Sequence, residues 1–478
     1  MNNVFKGDEA LAQTYTIETR ISVTPEIREY LSGYVSAYNK LYRIMWHQMS
    51  SAEFKLKYPK ESYYITYICK QYNVLKRTAN TIYKSILGKQ KALLELNKTE
   101  LRNLRNKTAN LTETVIQLKD KINKLKPKVT ANKATAKELE RYRSYKNKLY
   151  QKQRKLNRFK QRIDTLEYMV NNKVYSVCFG SKKLYNAQWY LKENGNKTQN
   201  KWLNYFRKAR DKNIEYLGAA GETCGNQMCQ LRYKPITKDF SLQIRKEPEL
   251  VNVADHSKYL CIDNLSFKYT QEELKLAVPG YTETKQPKPL TYRFKRKGSK
   301  WYIQVVFAVE RTPVTRYTNG VIGLDFNKGF IEATETDSKG NIVKQYHYSL
   351  KYHGCGNKAK SEMSATVARI VNTAVTVGKD ISIESLDFSK KKTNTGTNRS
   401  YNKMVHTLDY SRYTEMLRNA CHRKQVNLIQ VNPAYTSIVG ELKYGNSRKL
   451  NRHQAASYVI ARLGQGYTDS YNRYKTEI

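Results

Sequence analysis

The chain runs to 478 residues, room for two to four domains with full cores, and carries 86 Lys+Arg against 41 Asp+Glu, a formal +45. An excess that large suits a polyanion spread over much of the surface better than one small acidic ligand, and counterion release makes such binding steeply salt-dependent. No apolar run approaches the ~20 residues that span a bilayer, the opening MNNVFKGDEALAQTY lacks the apolar stretch of a signal peptide, and the seven scattered cysteines form no C-x-x-C pair, so membrane proteins, zinc ribbons and disulfide scaffolds are set aside.

In chain order, TYTIETRISVT (14–24) reads as a strand that leads into Pro25 and a long helical region. Leu111, Val115, Leu118, Ile122 and Leu125 repeat at four-three spacing up to Pro127. A second apolar series runs through Tyr142, Tyr145, Leu149, Leu156, Phe159, Ile163, Leu166 and Val170, which predicts an antiparallel helical hairpin. Its outward faces are nearly all basic, and Lys146, Lys148, Arg154, Lys155, Arg158, Lys160 and Arg162 are read as nucleic-acid contacts, because unpaired like charges repel. From 174 to 318 the texture changes to short β-type runs: VYSVCFG (174–180), LRYKPI (231–236), DFSLQIRK (239–246) and the hairpin LTYRFKRKGSKWYIQVVF, which turns at Lys297-Gly298-Ser299. With the first strand they predict a β-barrel-like domain interrupted by the helical hairpin. The 39 tyrosines can stack on bases, but with the accompanying Lys, Asn and Ile most of them are better explained by an A·T-rich genome.

The last 160 residues carry the chemistry. VIGLDF from Val321, FIEATETD (330–337) and NIVKQYHYSL (341–350) read as three strands, followed by a helix at 361–377, the strand DISIES (380–385), a helix at about 401–424, the strand VNLIQVN (426–432) and a helix over 451–463. That order, β-β-β-α-β-α-β-α, is the order of the RNase H-like and RuvC-like nuclease fold. Asp325 lies in the first of these strands and Glu384 ends the fourth. In that fold the two strands are neighbours, so the carboxylates can meet and hold Mg²⁺ against a phosphodiester.

VIGLDFNKGFIEATETDSKGNIV resembles the first RuvC motif of the TnpB proteins of insertion sequences and of the compact type V CRISPR effectors descended from them, and KDISIESLDFSKKK resembles their second. YNKMVHTLDYSRYTEMLRNACHRKQVNLIQVNPAYTSIVGELKY (401–444) is similar to the stretch that follows, NRHQAASYVIARLGQG (451–466) takes the place of the third motif, and VCFGSKKLY (177–185) with the Gly-Asn pair at 225–226 is similar to a subset of the family. The resemblance implies an α+β multidomain protein: wedge strands at 1–24, a helical recognition lobe at 25–173, a β-barrel wedge at 174–318, and a RuvC-like nuclease domain at 319–478 with an insert at about 386–450. It implies an RNA-guided DNA endonuclease that binds guide RNA and double- and single-stranded DNA, as a monomer or as a dimer on one RNA. The setting would be a prokaryotic cytoplasm near the nucleoid, in a transposon, a CRISPR locus or a form intermediate between them. A short motif beside the target would be read from around Tyr63 to Lys76.

The chain departs from the family pattern twice. Residues 432–450 hold no cysteine where most TnpB proteins carry a four-cysteine zinc element, so no zinc is expected. The usual third Asp is also missing. Aligning Ala455-Ala456 on the family's Asn-Ala-Ala puts Arg452 at its place, assigned to nucleic-acid contact, with His453 beside it as the expected third ligand. Asp469 or Glu441 could serve instead, and His453 could equally face a phosphate or solvent. The implied mechanism uses two Mg²⁺ ions bridged by Asp325, with Glu384 and the third group each holding one. Lys390, Lys391 and Lys392 open a Thr/Asn/Gly loop (393–398) that in the family serves as a lid. Two alternatives stand beside the guided nuclease: a guided DNA-binding protein that no longer cuts, and an unguided RuvC-like nuclease or transposase.

Overall fold

A computed structural model describes residues 11–195, 198–211, 213–247, 257–278, 288–351, 356–385 and 410–468. Two compact units share the chain: 14–105 with 150–309, and 11–13 with 106–149 and the described residues from 310 onward. Among the described residues no helix is long and apolar enough to cross a membrane.

The first strand, β1 (Leu11–Ile21), precedes α1 (Pro25–Met49), whose first turn is set by Pro25 and by Thr24, whose hydroxyl accepts from the Ile27 N–H at 3.2 Å. After α2 (Phe54–Lys57) and α3 (Glu61–Tyr72) come α4 (Lys76–Thr130) and α5 (Ala136–Asn171), the expected long helices. Helix α4 continues through Pro127 for one more turn instead of stopping there. A proline so close to the end forfeits only one backbone bond, and Ala131 N and Lys133 N still donate to Pro127 O and Lys128 O. Thr135 and Glu138 cap α5 reciprocally, Glu138 N donating to Thr135 Oγ1 at 3.3 Å and Thr135 N to Glu138 Oε2 at 3.0 Å.

The segment expected as a strand at 174–180 forms none. Its alternation has another cause: Tyr175 and Phe179 pack their rings on Trp46, and Phe179 also on Tyr42, so every second side chain is sheltered by α1 without any ladder. Two short helices follow, α6 (Lys182–Asn186) and α7 (Gln199–Arg210). The β-rich region is then built from β2 (Asn213–Tyr216), β3 (Cys229–Lys234), β4 (Asp239–Arg245), β5 (Tyr259–Leu265), helix α8 (Gln271–Ala277), β6 (Thr291–Lys297) and β7 (Lys300–Arg311). The β6–β7 hairpin turns through Gly298 at φ +64°, with Lys297 opposite Lys300. The expected barrel is corrected to two open sheets, of order β1-β7-β6-β2 and β3-β4-β5. Asn226 explains the break. Its buried amide donates to Tyr216 O and Leu290 O at the end of the first sheet while its oxygen accepts from Met228 N and Cys229 N at the start of the second, so β3 starts a new sheet and does not extend the old one.

The other unit holds a five-stranded sheet of order β10-β9-β8-β11-β12, from β8 (Val321–Asn327), β9 (Phe330–Thr336), β10 (Ile342–Ser349), β11 (Asp380–Glu384) and β12 (Leu428–Val431). β8, β9 and β10 pair antiparallel, and β11 runs parallel to both β8 and β12. Helix α9 (Asn357–Val377) precedes β11, α10 (Tyr410–Lys424) precedes β12, and α11 (Thr436–Gly440) leads through a π turn to α12 (Arg452–Gly464). Among the described residues the order read from the sequence is the observed one, with α11 added; the part of the expected helix at 401–409 lies outside them. Ile322, Leu324, Ile331, Ala333, Ile381 and Ile383 face α9 and α10 in one core. The opposite face takes α12, held by Thr334 Oγ1 to Ser457 Oγ at 2.6 Å and Ser382 Oγ to Ile460 O at 2.5 Å. That closeness needs Gly323, where a Cβ would stand 2.2 Å from Ser457 O and 2.3 Å from Ala461 N. Gly323→Ala should therefore lift α12 and cost on the order of 1–3 kcal/mol. Hydrogen exchange should show weakened protection across 452–464; unchanged protection there would mean the contact is not tight.

Candidate functional site

Asp325 and Glu384 stand side by side. The parallel β8–β11 ladder pairs Leu324 with Ile383, and the two acids are the next residue on each strand. Alternation along the strands sends them to the α12 face, since Gly323 and Ser382, two residues earlier, both touch that helix. Asp325 is 9% exposed. Its Oδ2 receives Asn327 Nδ2 at 2.8 Å and lies 3.0 Å from His453 Nδ1. Thr436 Oγ1 donates to the Glu384 carboxylate, and the Tyr410 hydroxyl donates to the Glu384 carbonyl.

His453 is placed by a helix cap. Asn451 Oδ1 accepts from His453 N and Gln454 N at 3.0 and 2.9 Å, and Gln454 Oε1 accepts from Asn451 N at 3.1 Å, a reciprocal box that fixes where α12 begins. The hydrogen bond to Asp325 raises the His453 pKa above its ordinary value, partial burial works against the rise, and the charges of Asp325 and Glu332 add to it while Arg452 lowers it.

Glu332, which sequence reasoning did not single out, belongs to the same face. It sits opposite Asp325 on β9 and opposite His347 on β10, is 5% exposed, and its Oε1 lies 2.7 Å from His347 Nδ1. The Phe330 ring connects the two imidazoles, stacked on His347 at 5.5 Å and edge-on to His453 at 5.2 Å. One end of the sheet thus gathers three carboxylates, each with its own partner: Asp325 with His453, Glu332 with His347, Glu384 with Thr436.

The remaining predicted residues lie elsewhere. Arg452 points to Glu441, 3.6 Å away, and both are exposed. Lys146, Lys148, Arg154, Lys155, Arg158, Lys160 and Arg162 are all exposed on α5; Lys146, Lys148 and Lys155 lie over the rings of Tyr142, Tyr145 and Phe159, and Arg162 forms a two-pronged pair with Glu100 at 2.9 and 3.0 Å. Tyr63 on α3 is 56% exposed. Lys390, Lys391, Lys392 and Asp469 lie outside the described residues.

Among the described residues no group of three or more His, Cys, Asp or Glu is assembled as a metal cage. Mg²⁺ needs no such cage: it takes one or two carboxylates and completes its octahedron with water and substrate oxygens. Asp325 and Glu384 supply hard oxygens on adjacent strands, which fits that requirement. His453 stands beside them, its Nδ1 engaged with Asp325 Oδ2.

No family model and no curated protein matches the chain. Among solved structures, the chain is similar to one described as the cryo-EM structure of the Cas12f1-sgRNA-target DNA complex, at 12% identity and a TM-score of 0.35, over 95% of this chain and 99% of that one. Another is a Cas12i1 R-loop complex before target DNA cleavage, at 9% identity and a TM-score of 0.19, over 82% of this chain and 48% of that one. Alignments this loose do not fix a fold.

The Asp325–His453 contact has a pH signature in the metal-free protein. With the folded pKa of His453 raised, the stabilisation from the pair is fully present below the unfolded value of about 6.5 and is lost as pH rises through the folded value. Asp325→Asn should bring the His453 titration down toward the ordinary value, as followed by NMR of the imidazole C–H and assigned with His453→Gln. Identical titration in both proteins would mean that the pair does not form.

Proposed function

We propose that the chain is an RNA-guided DNA endonuclease with a RuvC-like, RNase H-type catalytic domain. The carrying observation is the juxtaposition of Asp325 and Glu384 at neighbouring positions of one sheet face, under the N-terminus of the helix that presents His453. The strand order with β8 central, flanked by an antiparallel β9 and a parallel β11, supports the RNase H-type reading. The formal +45 and the exposed basic face of α5 support a long polyanionic partner. The resemblance of the motifs around Asp325 and Glu384 to those of TnpB proteins supplies the guide.

In this reading Asp325 and Glu384 hold Mg²⁺, which when bound would activate water and stabilise the leaving oxygen of the phosphodiester. The chain's own residues do the positioning. Asn327 and His453 aim Asp325, Thr436 aims Glu384, and the sheet keeps both carboxylates at one height. Glu332 adds negative charge to the same face and is itself held by His347. Base pairing with the guide selects the target, and the protein reads duplex shape and a short flanking motif.

One observation favours a second reading, a guided protein that binds without cutting. Arg452 occupies the place of the family's third Asp, and it pairs with Glu441 away from Asp325.

The test is expression with the native flanking DNA, purification with the retained RNA, and digestion in Mg²⁺ of a plasmid library carrying the guide-matched target beside randomised bases. Double-strand cuts beside one enriched motif are expected, falling at least a thousandfold in Asp325→Ala, about 4 kcal/mol in barrier. Target binding without cutting in either protein would establish the second reading. Cutting that survives Asp325→Ala, or that ignores the guide, would overturn the first.

A further inference from the structure

The segment 181–210, far in sequence from the carboxylates, holds two short helices with exposed aromatic rings on their outer side. α6 is capped by Ser181, whose hydroxyl accepts from Leu184 N at 3.3 Å, and α7 by Thr198, whose hydroxyl accepts from Lys201 N at 3.2 Å. Trp202 locks the two together. It is buried, its indole N–H donates to Leu184 O at 2.7 Å, and its ring stacks on Phe206 at 5.3 Å and 11°. Phe206 in turn meets Tyr185 and the Arg210 guanidinium at 5.9 and 5.2 Å. These contacts hold the inner side of the two helices together.

The outer side is aromatic and basic together. Trp189 is 72% exposed, Tyr190 60%, Tyr205 49% and Tyr185 46%. Leaving large rings in water is costly, and the other three tryptophans of the chain, Trp46, Trp202 and Trp301, are at most 5% exposed. Between 181 and 210 the sequence carries eight Lys and Arg against one acid, Glu193. A protein partner is disfavoured by that charge, because the buried centres of protein interfaces are depleted in Lys. Single-stranded nucleic acid fits both properties: each base has a face to stack on an aromatic ring, and each phosphate meets a cation.

We propose that this α6–α7 element is a stacking platform for single-stranded nucleic acid, with Trp189 and Tyr190 as its central rings. A duplex does not fit it, since paired bases are already stacked. The inference rests only on the nucleic-acid part of the proposed function and is indifferent to whether the carboxylate site cuts.

Trp189 reports on itself. As the one exposed tryptophan of four, it supplies the red edge of the intrinsic emission, which Trp189→Phe should abolish. The experiment uses the full chain stripped of nucleic acid in high salt, titrated with short oligo(U), oligo(dT), a duplex of the same length and anionic phospholipid vesicles. Quenching of the red-edge emission by the single strands and not by the duplex is expected, and the stronger of oligo(U) and oligo(dT) identifies RNA or DNA as the source. Trp189→Ala with Tyr190→Ala should weaken single-strand binding by on the order of 10-fold for each ring removed, with the salt slope unchanged. Lys182→Gln with Lys183→Gln should instead flatten that slope, by about 0.7 for each phosphate no longer neutralised. Single strands that bind, by anisotropy, without quenching Trp189 would overturn the platform and leave the proposed function standing. A blue shift with vesicles alone would make the element a membrane contact, and failure of every oligonucleotide to bind would sink both readings.

Discussion

The close approach of α12 to β8 is the contact on which the candidate site depends. A strand advances about 6.7 Å every two residues and a helix about 5.4 Å each turn, so an antiparallel helix lying on a strand meets it at nearly matched steps. Gly323 meets the Ser457 carbonyl; two residues on along β8 is Asp325, and one turn back along α12 is His453. The spacing that seats the backbone of one pair thus delivers the side chains of the next. Any larger residue at 323 would hold the helix away, and the imidazole with it. The capping box at Asn451 adds the second constraint, because a helix that began one residue later would turn His453 off that face.

Much of this was legible in the sequence, and the parts that were not failed for identifiable reasons. The carboxylates were legible because a charged residue in an apolar strand stands out, and the strand order was legible because the helices and turns between strands are well punctuated. Glu332 was legible in principle. Lys328 and Gly329 form the turn between β8 and β9, Gly329 lies at φ +97°, and counting outward from Asn327 and Phe330 puts Glu332 opposite Asp325. It was missed because FIEATETD also carries Glu335 and Asp337, so one more acid gave no signal. The strand expected at 174–180 and the barrel failed for a different reason. Local alternation shows which side chains are sheltered, but not whether the shelter is a helix, as with Trp46 over Tyr175 and Phe179, or another strand. Nothing local to β2 or β3 announces that the Asn226 amide will end one sheet and start the next.

The tyrosines show a use that neither base stacking nor genome composition anticipates. Tyr30, Tyr34, Tyr64, Tyr216 and Tyr292 are core residues, none more than 2% exposed. Burial drives the pKa of Tyr34 and Tyr292 upward; the Tyr34 hydroxyl donates to Glu247, and the Tyr292 hydroxyl accepts from the Leu231 N–H. Glu247 partners more than one of these phenols. Its carboxylate accepts from Tyr34, Thr78 and the Leu75 N–H, while its own N–H donates to Tyr30. A core built this way is held by directed bonds at Tyr30, Tyr34, Tyr64 and Tyr292 as well as by apolar contact. That is what sets Trp189, Tyr190 and Tyr205 apart: they are large rings with no such employment.

The two faces of the five-stranded sheet neutralise their acids differently, and the difference bears on which face is chemical. On the α9 side Glu335 is paired with Lys379 at 2.5 Å, both side chains nearly buried, and Tyr346 donates a further bond to the same carboxylate. Breaking such a pair strands a buried charge, so the contact belongs to the fold. On the α12 side Asp325 and Glu332 are paired with imidazoles and Glu384 with a hydroxyl. An imidazole's charge is conditional, so Asp325 and Glu332 can be released to another partner at lower cost than Glu335. A permanent cation at that place would compete with any divalent ion for the same oxygens. Among the described residues the α9 face thus pairs Glu335 with a lysine, and the α12 face pairs Asp325 and Glu332 with histidines.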